Sequence, residues 1–159
     1  MLNTLQMNEK LTQICEQPTV MDRRRAFEQA ILTDRTLIPY IRMNFVPEER
    51  LTGLPAGYPE SNDGRVMFDK NIPAGMGFTM LQHELRRFQQ FYPNGTAQTL
   101  EENRRVRLWT DMIQGIHWQE AEVITDIKDG RLLVRYPKLI AVLDLCGVEY
   151  KDPSKPVTK

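Results

Sequence analysis

His83 and His117 are the only histidines in the chain, so acid–base or metal chemistry near neutral pH would have to start from them. His117 and Glu120 are three residues apart, a spacing that places both side chains on one helical face. A two-metal carboxylate centre needs at least two such pairs and further carboxylates. A zinc protease needs His, Glu and a second His in fixed register. Neither pattern occurs. The structural alternative is that His117 caps a helix starting at Trp118, with Glu120 at its positive end. His83 and Glu84 are adjacent, so their side chains diverge around a helix and assign no acid–base role.

The nucleophiles are equally sparse. Cys15 and Cys146 are far apart and lie among apolar neighbours, which predicts buried thiols and not a disulfide framework or a zinc site. Ser61 and Ser154, the only serines, fall in loop-like sequence, and neither sits in a nucleophile elbow. Ala74-Gly75-Met76-Gly77 has the glycines of a phosphate loop, but Phe78 stands where such a loop needs lysine, so a hinge before a helix is expected. No catalytic, cofactor-binding or metal-binding residue is assigned, and the expectation is a protein that is not an enzyme and carries no cofactor.

Arginine is the remaining chemistry. It outnumbers lysine two to one, and its planar fork suits carboxylates and phosphates. Arg23, Arg24 and Arg25 form one cluster, and Arg104, Arg105 and Arg107 form another with Trp109 nearby. Basic side chains beside an aromatic can hold phosphates and bases. Against this, the formal net charge is zero, which weakens charge steering toward nucleic acid, and Trp109 also fits a buried stripe. Intrachain ion pairs are the plainer reading.

The elements that would carry these residues follow from caps and periodicity. Asn3 with Gln6 reads as a capping box ahead of Leu5, Leu11, Ile14 and Cys15, and Pro18 ends that helix. Thr19 with Asp22 starts a second helix, in which Phe27, Ala30 and Ile31 face inward and Glu28 can pair with Arg24. Asp34 caps a third that runs to about Phe45 and starts late or bends at Pro39. Thr79 with Gln82 and Thr99 with Glu102 repeat the capping signature. Leu81, Leu85, Phe88 and Tyr92 make one stripe; Leu108, Trp109, Met112, Ile113 and Ile116 make another. Trp118 to Lys128 is a short helix, Leu132 to Val134 a brief extended piece, and Pro137 opens a last helix that Gly147 stops.

Between Pro47 and Gly77 proline and glycine recur and the helical periodicity stops. Loops of this length in a compact domain are commonly either functional or disordered. Leu51, Leu54, Tyr58, Val66, Met67, Phe68 and Ile72 punctuate it, which predicts a loop packed on the body, with a short strand over Arg65 to Phe68. The chain of 159 residues, 41% hydrophobic and 26% charged, is the size and composition of one globular domain. Residues 1–147 are assigned to it, and 148–159 to a flexible polar tail. No segment is apolar enough to span a membrane, and Met1 to Lys10 lacks the pattern of a signal peptide. The fold expected is mainly α: a compact single domain of about seven short helices with one long packed loop.

The order of motifs adds a resemblance. Asp34-Arg35-Thr36-Leu37-Ile38-Pro39-Tyr40-Ile41-Arg42-Met43-Asn44-Phe45-Val46-Pro47, then Leu54-Pro55-Ala56-Gly57, resembles a family of small proteins of tailed bacteriophages. Glu84-Leu85-Arg86-Arg87, Arg104-Arg105, Glu120-Ala121-Glu122, Ile127-Lys128-Asp129 and Pro137-Lys138-Leu139 are similar too. The resemblance spans about residues 22–147. This chain differs in a longer loop between Tyr58 and Thr79 and in its N-terminal helix. The family lends no activity and no functional residue. It implies a phage origin and action in the host cytoplasm, with a place in the virion as a further option.

The functional expectation is therefore a non-enzymatic phage accessory protein that binds a protein partner, in a replication, transcription or assembly complex. Leu54, Tyr58, Met67, Phe68, Met76 and Phe78 are the candidate contacts, because binding residues concentrate on such loops. The alternatives are nucleic-acid association through the two arginine clusters and a minor virion component.

Overall fold

A computed structural model describes residues 5–57, 71–74 and 76–150. The protein is mainly helical. Seven α-helices are described: α1 (Met7–Cys15), α2 (Val20–Thr33), α3 (Leu37–Phe45), α4 (Leu81–Gln89), α5 (Glu102–Gln114), α6 (Trp118–Lys128) and the single turn α7 (Leu132–Arg135). Three 3₁₀ helices, Pro47–Glu49, Thr96–Thr99 and Pro137–Cys146, complete the described elements.

The most buried helix is α6. Ala121, Val123, Ile124 and Ile127 on it are buried, and so are the polar Glu120, Thr125 and Lys128. Burial on several faces marks a helix enclosed by others, and α1, α3, α5 and α7 all pack on it. α2 lies on α1 and on the Pro137–Cys146 helix. A chain of edge-to-face rings ties α3 to the α4–α5 region: Tyr40 on Phe88, then Phe88 and Phe91 on Trp109, each of the latter two pairs at 5.5 Å. Such contacts add to what burial of the rings already contributes.

Several helix starts differ from their sequence signals. Thr19 caps α2 as expected, its hydroxyl accepting from Asp22 N at 3.0 Å. Pro39 is the third residue of a helix that starts late, where a missing N–H costs nothing. Asp34, instead of capping it directly, accepts from Thr36 N at 3.0 Å and from the Lys10 ammonium. The start of α1 is set by Gln6 and Glu9, with Gln6 N donating to Glu9; Asn3 lies outside the described residues. The Thr79–Gln82 and Thr99–Glu102 boxes do not form. Thr79 Oγ1 donates to Glu84 and Gln82 accepts from Lys10, while Thr99 Oγ1 donates to Thr96 O within its own 3₁₀ turn. Residues 132–134 are helical and not extended, and the last element is a 3₁₀ helix ended by Gly147 at φ +73°. The assignment of 148–159 to a tail begins too early: Val148 is buried, and Tyr150 packs edge-to-face on Phe45 at 5.6 Å. The strand expected over Arg65 to Phe68 lies outside the described residues.

The first part of the long loop is strapped down. Phe91 O accepts from Thr52 N, Gly53 O from Arg105 Nε, and Pro55 O from Lys128 Nζ, and Asp129 accepts from Gly57 N. Backbone groups answered by distant side chains make a loop part of the body, in place of the ladder bonds it lacks.

Candidate functional site

The end of the loop is held differently. Three contacts fix it to the α5–α6 junction. The Ile72 carbonyl lies 2.9 Å from His117 Nε2. Thr79 N donates to Gly115 O at 3.0 Å, within a parallel bridge between Thr79 and Ile116. Between them, Gly77 runs against the next helix so closely that a Cβ there would stand 2.8 Å from His117 N. The backbone is thus anchored on both sides of the apolar residues it displays. Phe78 is 98% exposed and Met76 68%, and Ile72 is also exposed. Leaving a phenylalanine in water forgoes about 1.5–3 kcal/mol of burial, on a segment already tied to the core.

His117 joins this segment to the interior. Its Nδ1 accepts from Gln119 N at 3.2 Å, which leaves Nε2 to carry the proton that meets Ile72 O. The ring therefore caps α6, as its position implies. Glu120 does something the sequence does not announce. One oxygen accepts from Met7 N at 2.8 Å and the other from Leu81 N at 3.1 Å, so one buried carboxylate holds the starts of α1 and α4 together. Burial pushes its carboxyl above the ordinary range, and the two backbone donors, Lys10 and His117 pull it back. Close by in this interior, Lys10 Nζ donates to Asp34 at 2.8 Å and to Gln82 at 2.9 Å. These groups are occupied in joining helices. His83 is exposed. No group of three metal-ligating side chains occurs among the described residues.

The thiols are free. Cys15 is half-buried and Cys146 buried, and burial raises them to about 11 and about 12 respectively. At neutral pH both stay protonated and poorly nucleophilic.

The arginine clusters divide. Arg24 is taken by Asp144, with Nη1 to Oδ1 at 2.6 Å and Nη2 to Oδ2 at 3.0 Å, and by the Ala141 carbonyl; the expected partner Glu28 adds only charge. Arg105 is taken by the carbonyls of Gly53 and Leu100. Arg23 is half-buried, and its Nε has no hydrogen-bond partner among the described residues. Arg25, Arg104 and Arg107 remain exposed. Trp109, the aromatic beside the second arginine cluster, is 1% exposed and enclosed by Phe88 and Phe91, so it presents no face for a base to stack on.

Of the six loop contacts, Met76 and Phe78 come together on the anchored segment. Leu54 is half-buried against the core on the strapped part of the loop. Tyr58, Met67 and Phe68 lie outside the described residues. Ile72 belongs with Met76 and Phe78, and its place in the apolar punctuation of the loop was the signal for it. No protein-family model matches the chain, and neither a curated protein nor a solved structure shows similarity to it. Among the described residues no helix is long and apolar enough to cross a membrane.

Proposed function

We propose that this chain is a non-enzymatic accessory protein of a tailed phage that acts in the host cytoplasm by binding a protein partner. The partner is met through the segment that carries Ile72, Met76 and Phe78. The observation that carries this reading is Phe78, an almost fully exposed aromatic on a backbone anchored at both flanks. Large exposed apolar side chains on a well-held mount are what binding hot spots use, because little ordering is left to lose on association. The nucleic-acid reading has less behind it, since Arg24, Arg105 and Trp109 are occupied within the fold.

The test is affinity capture from infected cells with wild-type protein and with Phe78→Ala. The wild type should retain a specific partner that the variant loses. Equal capture by both would sink the assignment of this surface. Mass spectrometry of purified particles separates a partner in the cytoplasm from a place in the virion.

A further inference from the structure

Among the described residues the space between α1 and α2 is not filled. α2 turns Ala26 and Ala30, one helical turn apart, towards the side of α1 that carries Ile14, and together they border a cavity of about 580 Å³. That is within the roughly 300–1,000 Å³ of small-molecule sites. Lys10 is part of its lining although it is only 7% exposed. Its ammonium has three donors. Asp34 and Gln82 accept two of them, and the third has no acceptor among the described residues. On the rim, Gln13 from α1 and Gln29 from α2 contribute amides that are likewise unbonded among the described residues.

We propose that this cavity binds a neutral, mainly apolar small molecule that carries a carbonyl or equivalent acceptor. The acceptor takes the third Lys10 N–H. The apolar body covers Ile14, Ala26 and Ala30, and the rim glutamines meet its polar edges. Neutrality follows from the Lys10–Asp34 pair. The ammonium is already matched by a carboxylate 2.8 Å away, so an anionic ligand would be desolvated beside Asp34 without a net positive charge to receive it. No cysteine, histidine or serine is in the lining, and the Thr33 hydroxyl donates to Ala30 O, so the site holds its ligand without reacting with it. This site is separate from the surface around Phe78 and does not depend on the partner-binding reading.

The probe is prodan, an uncharged naphthalene ketone whose emission brightens and shifts to the blue on leaving water. Titrated into the full chain, it should bind saturably, one molecule per chain. Ala30→Leu puts about three methyl-sized groups into the cavity and should weaken binding about tenfold or more. Lys10→Met combined with Asp34→Asn removes the donor without stranding a buried charge, and should weaken binding about tenfold. Phe78→Ala should bind as the wild type does, which separates the cavity from the exposed loop surface. Methyl NMR of the wild-type protein needs no variant to fold: prodan should perturb Ala26, Ala30 and Ile14. Absence of saturable binding, perturbation confined to other residues, or folded Ala30→Leu binding like the wild type would each overturn the proposal.

Discussion

On one side of the His117 ring the interior holds Glu120, Lys10 and Asp34, all charged in type and all buried. On the other side Met76 and Phe78 stand largely in water, with Ile72 partly exposed beside them. The usual arrangement is reversed in both places, and the two reversals differ in kind. The polar interior is answered: the carboxylates of Glu120 and Asp34 and the ammonium of Lys10 all have partners. Apart from the third Lys10 N–H, its polar groups are therefore spent on joining α1, α3, α4 and α6. The apolar exterior has no such answer within the described residues. A satisfied buried network gives stability and a defined helix register. An exposed aromatic on an anchored backbone gives the fold little, and is explained by what it meets.

Breaking the interior should have the largest effect. Glu120→Ala leaves Met7 N and Leu81 N, two helix-start donors, without their acceptor at a buried position. The loss should be about 3–4 kcal/mol from two stranded buried donors, read as a fall of roughly 10 °C in melting temperature for a domain of this size. A loss below about 1 kcal/mol would mean that water or a local shift replaces the carboxylate. Next in size is Gly77→Ala, which attacks the mount between the two regions. A Cβ 2.8 Å from His117 N must push the segment off α6. The cost should be about 1–3 kcal/mol, as for overpacking elsewhere. Amide exchange should rise in Ile72–Thr79 while α6 keeps its protection; exchange that rises equally in both would show that the segment and the core are one cooperative unit.

Phe78→Ala should be the reverse of Glu120→Ala. The ring is almost entirely in water, so stability should change by less than about 0.5 kcal/mol, while partner capture is lost. A clear drop in melting temperature would instead make Phe78 part of the fold and remove the contrast between the regions.

The two regions also differ in how legible they were. The helical stripes follow from local periodicity, so the mainly helical fold, α2 with its Thr19 cap and the late start of α3, which leaves Pro39 in its first turn, could all be read along the chain. What could not be read is any cap supplied from a distance. Glu120 reaches Leu81 N across 39 positions and Met7 N across 113, so local capping patterns at Thr79 and Gln82 were misleading there. The same reason separates Arg24 and Arg105 from their neighbours. Asp144 lies 120 positions from Arg24, and Gly53 lies 52 from Arg105, whose other acceptor, the Leu100 carbonyl, is five positions away; no local pattern says which arginine of a cluster is taken. Met76 and Phe78 were visible because glycine and proline interrupt the helical pattern around them. Leu54 shares that composition, but the bonds that strap residues 52–57 to the body set it against the core. The cavity at Ala26 and Ala30 left no mark, since small residues on an inward stripe look like ordinary close packing.

The smallest effect is one of sign, and it compares an interior carboxylate with a surface one. Burial holds Glu120 above the ordinary carboxylate range despite its backbone donors, whereas the Arg24 guanidinium holds Asp144 below it. A group with a raised folded pKa contributes stability that is fully present below its unfolded pKa and is lost as pH rises through the folded one; a lowered group does the opposite. Urea unfolding of the wild type, Glu120→Ala and Asp144→Asn at pH 7 and at about pH 4, near the ordinary glutamate value, tests this. The gap between wild type and Glu120→Ala should hold or widen on acidification, and the smaller gap for Asp144→Asn should shrink. If the Glu120 gap closes instead, the negative charge of that carboxylate holds α1 and α4 in place, and acid would release the helices that flank the Lys10 cavity.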